Sequence, residues 1–173
     1  VVGVGAAAVP FVQSWQPSAR AENAGAPVKV DVSQLSRGER VTAKWRGRPV
    51  WVLRRTQAML DSLDEVRDQL RDPESEEDQQ PEYARNQYRA IKSEYLGVVA
   101  ICTHLGCSPS YVPDGGSNLE YSGFFCPCHN SKFDIAGRVY QGVPAPTNLV
   151  VPPHSYLSDD VVIIGSEEGE TTA

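Results

Sequence analysis

The sequence predicts an all-β fold, built of short antiparallel strands with one inserted helix. Three observations carry this expectation. Apolar and polar side chains alternate over short runs, the period of a half-buried strand. Only Thr56 to Arg71 changes to helical spacing. Thirteen prolines and fourteen glycines punctuate the chain and supply the breaks between runs.

Residues 1–15 read "VVGVGAAAVPFVQSW", and Val1 to Val12 carry no charge. Crossing a bilayer takes about 20 apolar residues, so this run alone is short. It is read as the end of an N-terminal transmembrane helix, in preference to a signal remnant or a buried helix. The missing initial methionine suggests further residues before Val1. Residues 16–27, "QPSARAENAGAP", have linker composition and are expected to form a flexible tether, although composition alone equally suits an inert spacer. Extended, they reach about 40 Å at roughly 3.3 Å each.

The head occupies residues 28–165. "VKVDVS" (28–33) and "RVTAKW" (40–45) alternate, "RGR" offers a turn, and "PVWVLRR" (49–55) returns as a hairpin partner. Met59, Leu63, Val66 and Leu70 then fall on one helical face before Pro73 stops the helix. The acidic run 74–87 is read as a solvated loop, not a metal site. Further strands are expected at 94–101, 119–125, 137–142, 148–151 and 160–165, with His154 on the surface or a β-edge. The tail 166–173 is expected to be disordered. A net charge of -6 argues against nucleic acid, which needs a basic face.

Chemistry concentrates in "CTHLGC" (102–107) and "CPCHNS" (126–131), which hold all four cysteines and two of the three histidines. Two plain disulfides would leave His104 and His129 unexplained. Structural zinc suits close Cys and His spacing. Here, however, C-x-H and C-x-x-H, each with an additional cysteine, offer six candidates for four positions. Adjacent Cys128 and His129 point to opposite sides of an extended segment. Cys102 with His104, and Cys126 with His129, can each converge on one centre. Cys107 and Cys128 are then left over, although spacing leaves open a pairing of His104 with Cys107. Two thiolates and two imidazoles match a 2Fe–2S centre of mixed ligation. Neutral imidazoles raise its potential to about -150 to +300 mV, against about -400 mV for all-cysteine plant-type clusters. Each ring also keeps one nitrogen off the metal, free to exchange a proton.

Through "CTHLGC", "CPCHNSKFD" and "GRVYQGVPAPTNLVVPP", the chain resembles the Rieske iron–sulfur subunits of bacterial cytochrome bc complexes, the ubiquinol–cytochrome c reductases. The resemblance runs over essentially the whole length. It implies a Rieske-type head, with a base fold at 28–97 and 147–165 and a cluster-binding subdomain at 98–146. Cys102, His104, Cys126 and His129 would hold one 2Fe–2S cluster, and Cys107 and Cys128 would form a disulfide. It further implies an anchor in the bacterial inner membrane, a head on the periplasmic side, and a dimeric complex with cytochrome b and a c-type cytochrome. The cluster would take an electron from ubiquinol at the quinol-oxidising pocket, and the head would swing to the c-type cytochrome. His129 would contact quinol and accept its proton, and Leu105 would dock on cytochrome b. Ser131 would donate a hydrogen bond to cluster sulfur. Gly142, Pro144, Ala145 and Pro146 match the proline loop over the cluster.

Three residues depart from the family pattern. Asn130 stands where Gly is commoner, so a slightly different loop turn is expected. Phe133 replaces a Tyr whose hydroxyl bonds a ligand sulfur, which lowers the expected potential. Val143 lengthens the proline loop by one. The alternative reading is the small Rieske subunit of a periplasmic enzyme such as arsenite oxidase, whose partner is a molybdenum subunit. The apolar start, the tether and "VPAPTNLVVPP" tilt against it. Rieske ferredoxins and dioxygenase domains normally lack the additional cysteine pair.

Overall fold

The structure is a computed structural model that describes residues 25–116 and 118–166. The expected anchor, nearly all of the tether and all but the first residue of the tail lie outside the described residues. Among the described residues nine strands form three antiparallel sheets of three: β1 (Val28–Asp31), β2 (Arg40–Trp45), β3 (Arg48–Arg54), β4 (Tyr95–Val99), β5 (Ser110–Val112), β6 (Gly123–Cys126), β7 (Ser131–Asp134), β8 (His154–Ser158) and β9 (Val161–Ile164).

The β2–β3–β4 sheet is the middle layer. Its hairpin turns at Arg46 and Gly47, both at positive φ (49° and 75°), the pattern that matches strand twist in a two-residue turn. Alternation then sends side chains to both faces. Val50 and Val52 of β3, with Tyr95 and Val99 of β4, enter one apolar cluster with Val30, Val162 and Ile164 of the β1–β9–β8 sheet. Trp51, Leu53, Leu96 and Val98 enter a second cluster with Phe124, Cys126 and Phe133 of the β5–β6–β7 sheet. Burial on both faces explains why 50–53 and 95–99 read as nearly continuous apolar runs.

The helix α1 (Gln57–Glu65) begins at Thr56, whose hydroxyl accepts from the Met59 N–H at 3.2 Å. It is shorter than its apolar spacing predicts. After Val66 a 3₁₀ turn, Arg67–Gln69, takes over. Val66 and Leu70 are still buried, but the backbone there pairs elsewhere. The Arg71 N–H donates to the Val139 carbonyl (2.9 Å) and the Gln141 N–H to the Gln69 carbonyl (2.8 Å). That competition ends the helix.

Other expectations need correction. The strand expected at 119–125 begins only at Gly123. Residues 137–142 and 148–151 are no strands: they make the isolated bridges Leu70–Tyr140 and Phe133–Val139, and single bonds such as Val99 N–H to the Val150 carbonyl at 2.8 Å. β5, β7 and β8 were not expected. His154 does lie on an edge strand, β8, but it is buried, with Nδ1 3.0 Å from the Pro152 carbonyl. The acidic loop is exposed at its carboxylates, while Ser75, Gln80 and Arg89 turn inward.

Candidate metal centre

The two Cys/His segments follow the ends of β4 and β6. Cys102 lies three residues past β4, and Cys126 is the last residue of β6, whose turn into β7 carries Cys128 and His129. The first loop closes on itself: the Cys102 N–H donates to the Cys107 carbonyl (2.8 Å) and the Gly106 N–H to the Cys102 carbonyl (3.1 Å). Its tip leaves Leu105 72% exposed. In the second loop Asn130 sits at φ 61°. Glycine takes that left-handed conformation freely and asparagine tolerates it, so Asn130 suits a turn of the kind glycine makes.

Among the expected ligands these loops make two pairs, Cys102 with Cys126 and His104 with His129. The Cys102 and Cys126 side chains are free thiols, buried at 2% and 1% exposure, and share a hydrogen bond. Burial pushes the Cys102 thiol up and the Cys126 contact adds to this, while the His104 backbone and the Ser131 hydroxyl oppose it. The rings of His104 and His129 meet edge to face, centroids 4.7 Å apart. His104 Nδ1 is buried with no hydrogen-bond partner. An orphaned imidazole nitrogen beside two buried thiols suits metal ligation.

Cys107 and Cys128 form a disulfide with their Cα atoms 6.6 Å apart, which closes off the pairing of His104 with Cys107. Cys126 Sγ lies within 4.8 Å of both bridged sulfurs. A bridged sulfur has no thiolate to offer, so that sulfur triad is not itself a metal site.

Ser131 is buried, and its oxygen accepts from the Ala145 N–H at 3.0 Å. Its one hydrogen is then left for the Cys102 sulfur. This bond also seats the proline loop, where Ala145 is buried while Gly142, Pro144 and Pro146 are exposed. Thr103, unremarked in the sequence, ties the first loop to the same segment through its hydroxyl to the Thr147 carbonyl at 2.7 Å. The additional residue Val143 is half-buried, and its carbonyl accepts from Arg71 at 3.2 Å. Phe133 is wholly buried beneath the site. Nothing in the spacing of Thr103 or Arg71 distinguishes them from ordinary surface residues.

Residues 26–153 match the family described as the Rieske [2Fe-2S] domain. The ubiquinol–cytochrome c reductase iron–sulfur subunit of Allochromatium vinosum is 54% identical over 172 residues, covering 97% of this chain and 83% of that protein. The chain belongs to this Rieske family. The Bradyrhizobium diazoefficiens subunit of the same description is 41% identical over 165 residues, covering 95% of this chain and 86% of that one. A mitochondrial cytochrome b-c1 complex subunit Rieske, from Theropithecus gelada, is 38% identical over 156 residues, 90% of this chain and 51% of that one. Among solved structures, a chain of a hyperthermophilic respiratory Complex III shares the Rieske fold at TM-score 0.57, with 22% identity, covering 93% of this chain and 91% of that one. The relatives favour a quinol reductase subunit over the arsenite oxidase reading. The Rieske centre is a 2Fe–2S cluster, and the donor set found here fits it.

Proposed function

We propose that this Rieske subunit accepts one electron and one proton from ubiquinol and passes the electron to the c-type cytochrome of its complex. Cys102 and Cys126 would ligate one iron as thiolates, and His104 and His129 the other as imidazoles. When bound, the cluster supplies a one-electron acceptor of about -150 to +300 mV. The residues of the chain do the rest.

The observation that carries this reading is a difference in exposure. His104 is half-buried with Nδ1 turned inward, whereas His129 is exposed. His129 is therefore the ring that a quinol hydroxyl can reach and to which it can give its proton. Leu105, 72% exposed at the tip of the first loop, offers cytochrome b an apolar contact. Thr103 and Ser131 strap the proline loop over the side of the site, which limits water around the sulfurs.

The rest of the reading concerns the setting. The end of a membrane anchor at 1–15 and the tether at 16–27 hold the head (28–165) on the periplasmic face of the inner membrane, within a dimeric complex, and let it move between cytochrome b and the c-type cytochrome. No helix among the described residues is long and apolar enough to cross a membrane.

Redox titration of the iron-loaded protein, followed by EPR across pH, tests the proton step. The midpoint falls by about 59 mV per pH unit once the oxidised centre's imidazole loses its proton, the slope of one proton per electron. A midpoint flat through the alkaline range would falsify proton acceptance at His129. Metal analysis that finds zinc in place of iron and sulfide refutes the ligand assignment itself.

A further inference from the structure

We propose that two buried arginines, Arg55 and Arg89, act as fixed cations that raise the reduction potential of the Rieske centre. This rests on the ligand set proposed above. It concerns how readily that centre accepts its electron.

Three of the largest fully buried side chains of this protein are arginines: Arg55 (1% exposed), Arg89 (0%) and Arg138 (1%). Their surroundings hold one buried carboxylate, Asp134 at 2% exposure, which pairs with Arg138 at 2.7 Å. Among the described residues, neither Arg55 nor Arg89 has a carboxylate within ion-pair distance. They are held by neutral groups instead. Arg55 donates to the carbonyls of Ser93 (2.8 Å) and Tyr88 (2.9 Å), and more weakly to Ile135 (3.4 Å). Arg89 donates to Gln80 Oε1 (2.8 Å) and to the carbonyls of Ala136 and Gly137 (both 3.3 Å). One nitrogen of each, Arg55 Nη2 and Arg89 Nε, has no partner at all. Burial lowers both from the ordinary arginine value to about 10, so both remain cationic at neutral pH.

Asp134 acts on both arginines and Asp72 on Arg89 only from beyond ion-pair distance; a buried charge without an ion pair is expensive, and apolar residues would fill the space at less cost. Shape alone therefore does not account for two of them. Their location suggests another use. Both grip residues 135–137, the turn that follows β7. β7 pairs with β6 so that Asp134 faces Gly123 and Ser131 faces Cys126. Four residue steps, about 13 Å of strand, thus separate Ile135 at the start of this turn from Ser131 at the level of a ligand. With neutral imidazoles, two ferric ions, two sulfides and two thiolates balance to zero, and reduction leaves one negative charge. A nearby cation favours the reduced form. The path runs through protein interior, where the effective dielectric constant is low and salt screens little.

The experiment is a redox titration, read by EPR, of the iron-loaded full chain and three variants, with a thermal melt of each. Gln80→Glu places a carboxylate against Arg89 without touching a ligand or an arginine. Arg89→Gln removes the cation, and Arg89→Lys keeps it. The midpoint falls in Gln80→Glu and in Arg89→Gln, and stays near the parent in Arg89→Lys. A parent-like midpoint in loaded Gln80→Glu overturns the proposal. Should that variant not fold, equal shifts in Arg89→Lys and Arg89→Gln overturn it, since only packing then changed. Failure of the ligand assignment looks different: those samples hold no 2Fe–2S signal to titrate.

Discussion

Phe133 and Ser131 share β7 and bound the site from beneath, but only one offers a hydrogen bond. Ser131 has its oxygen fixed by the Ala145 N–H, which directs its hydrogen to sulfur. Ser131→Ala should lower the midpoint potential, and it leaves a buried N–H unpaired at a cost of about 1–3 kcal/mol; redox titration and urea unfolding measure the two effects separately. Phe133 is wholly buried, so the hydroxyl of Phe133→Tyr must find its partner at the site, and the midpoint should rise. An unchanged or lower midpoint would count against a sulfur bond there. Deeper in, Asp134 Oδ1 accepts from the Ala136 and Arg138 N–H groups while Oδ2 holds the Arg138 guanidinium. Asp134→Ala strands that guanidinium, and the loss should be about 3–5 kcal/mol. The candidate ligands stood out because Cys and His are scarce and clustered here. The arginines were not: a sequence does not reveal which cation its fold will enclose.

Among the elements, the legible ones were those whose apolar period is set by a single neighbour. β2 and β3 announced themselves by alternation around Arg46 and Gly47, and α1 by its apolar stripe. β7, "SKFD", and β8, "HSYLS", carry no such pattern. β7 is buried over nearly its full length by the layers around it, and β8 is a polar edge strand with one buried histidine. Segments 137–142 and 148–151 have strand-like composition, yet in the structure they are loops that cross the molecule. The disulfide joins the loop after β4 to the turn between β6 and β7. With its cysteines 21 positions apart in sequence, the chain-entropy estimate is on the order of 3 kcal/mol. The Cys107→Ser, Cys128→Ser double variant should lose about that much in guanidinium unfolding, and its cluster should become labile.

For the molecule as a whole, the fold class and the order of most elements followed from the sequence, while the arrangement in layers did not. Nothing in residues 50–53 says that neighbouring side chains serve different cores, although the unbroken apolar run is its trace. His154 carries a whole-molecule pH dependence. Its pKa is lowered from 6.5 by burial, the Pro152 carbonyl opposing. The folded state therefore prefers the neutral ring, and the unfolded chain binds a proton first as pH falls. Stability is full above about pH 6.5 and declines below it until the folded pKa is passed. Urea midpoints at pH 7 and pH 5 should differ in the parent protein, and the difference should shrink in His154→Gln.

The two-faced middle layer has a last consequence. Trp51 stacks on Phe124 at 5.6 Å, two residues from Cys126, while Val50 and Val52 beside it line the opposite core. Metal cage and scaffold thus share a party wall, and neither can come down by itself. On heating, the visible colour of the protein and its far-ultraviolet dichroism should vanish along one curve, with no bleached but still folded species between.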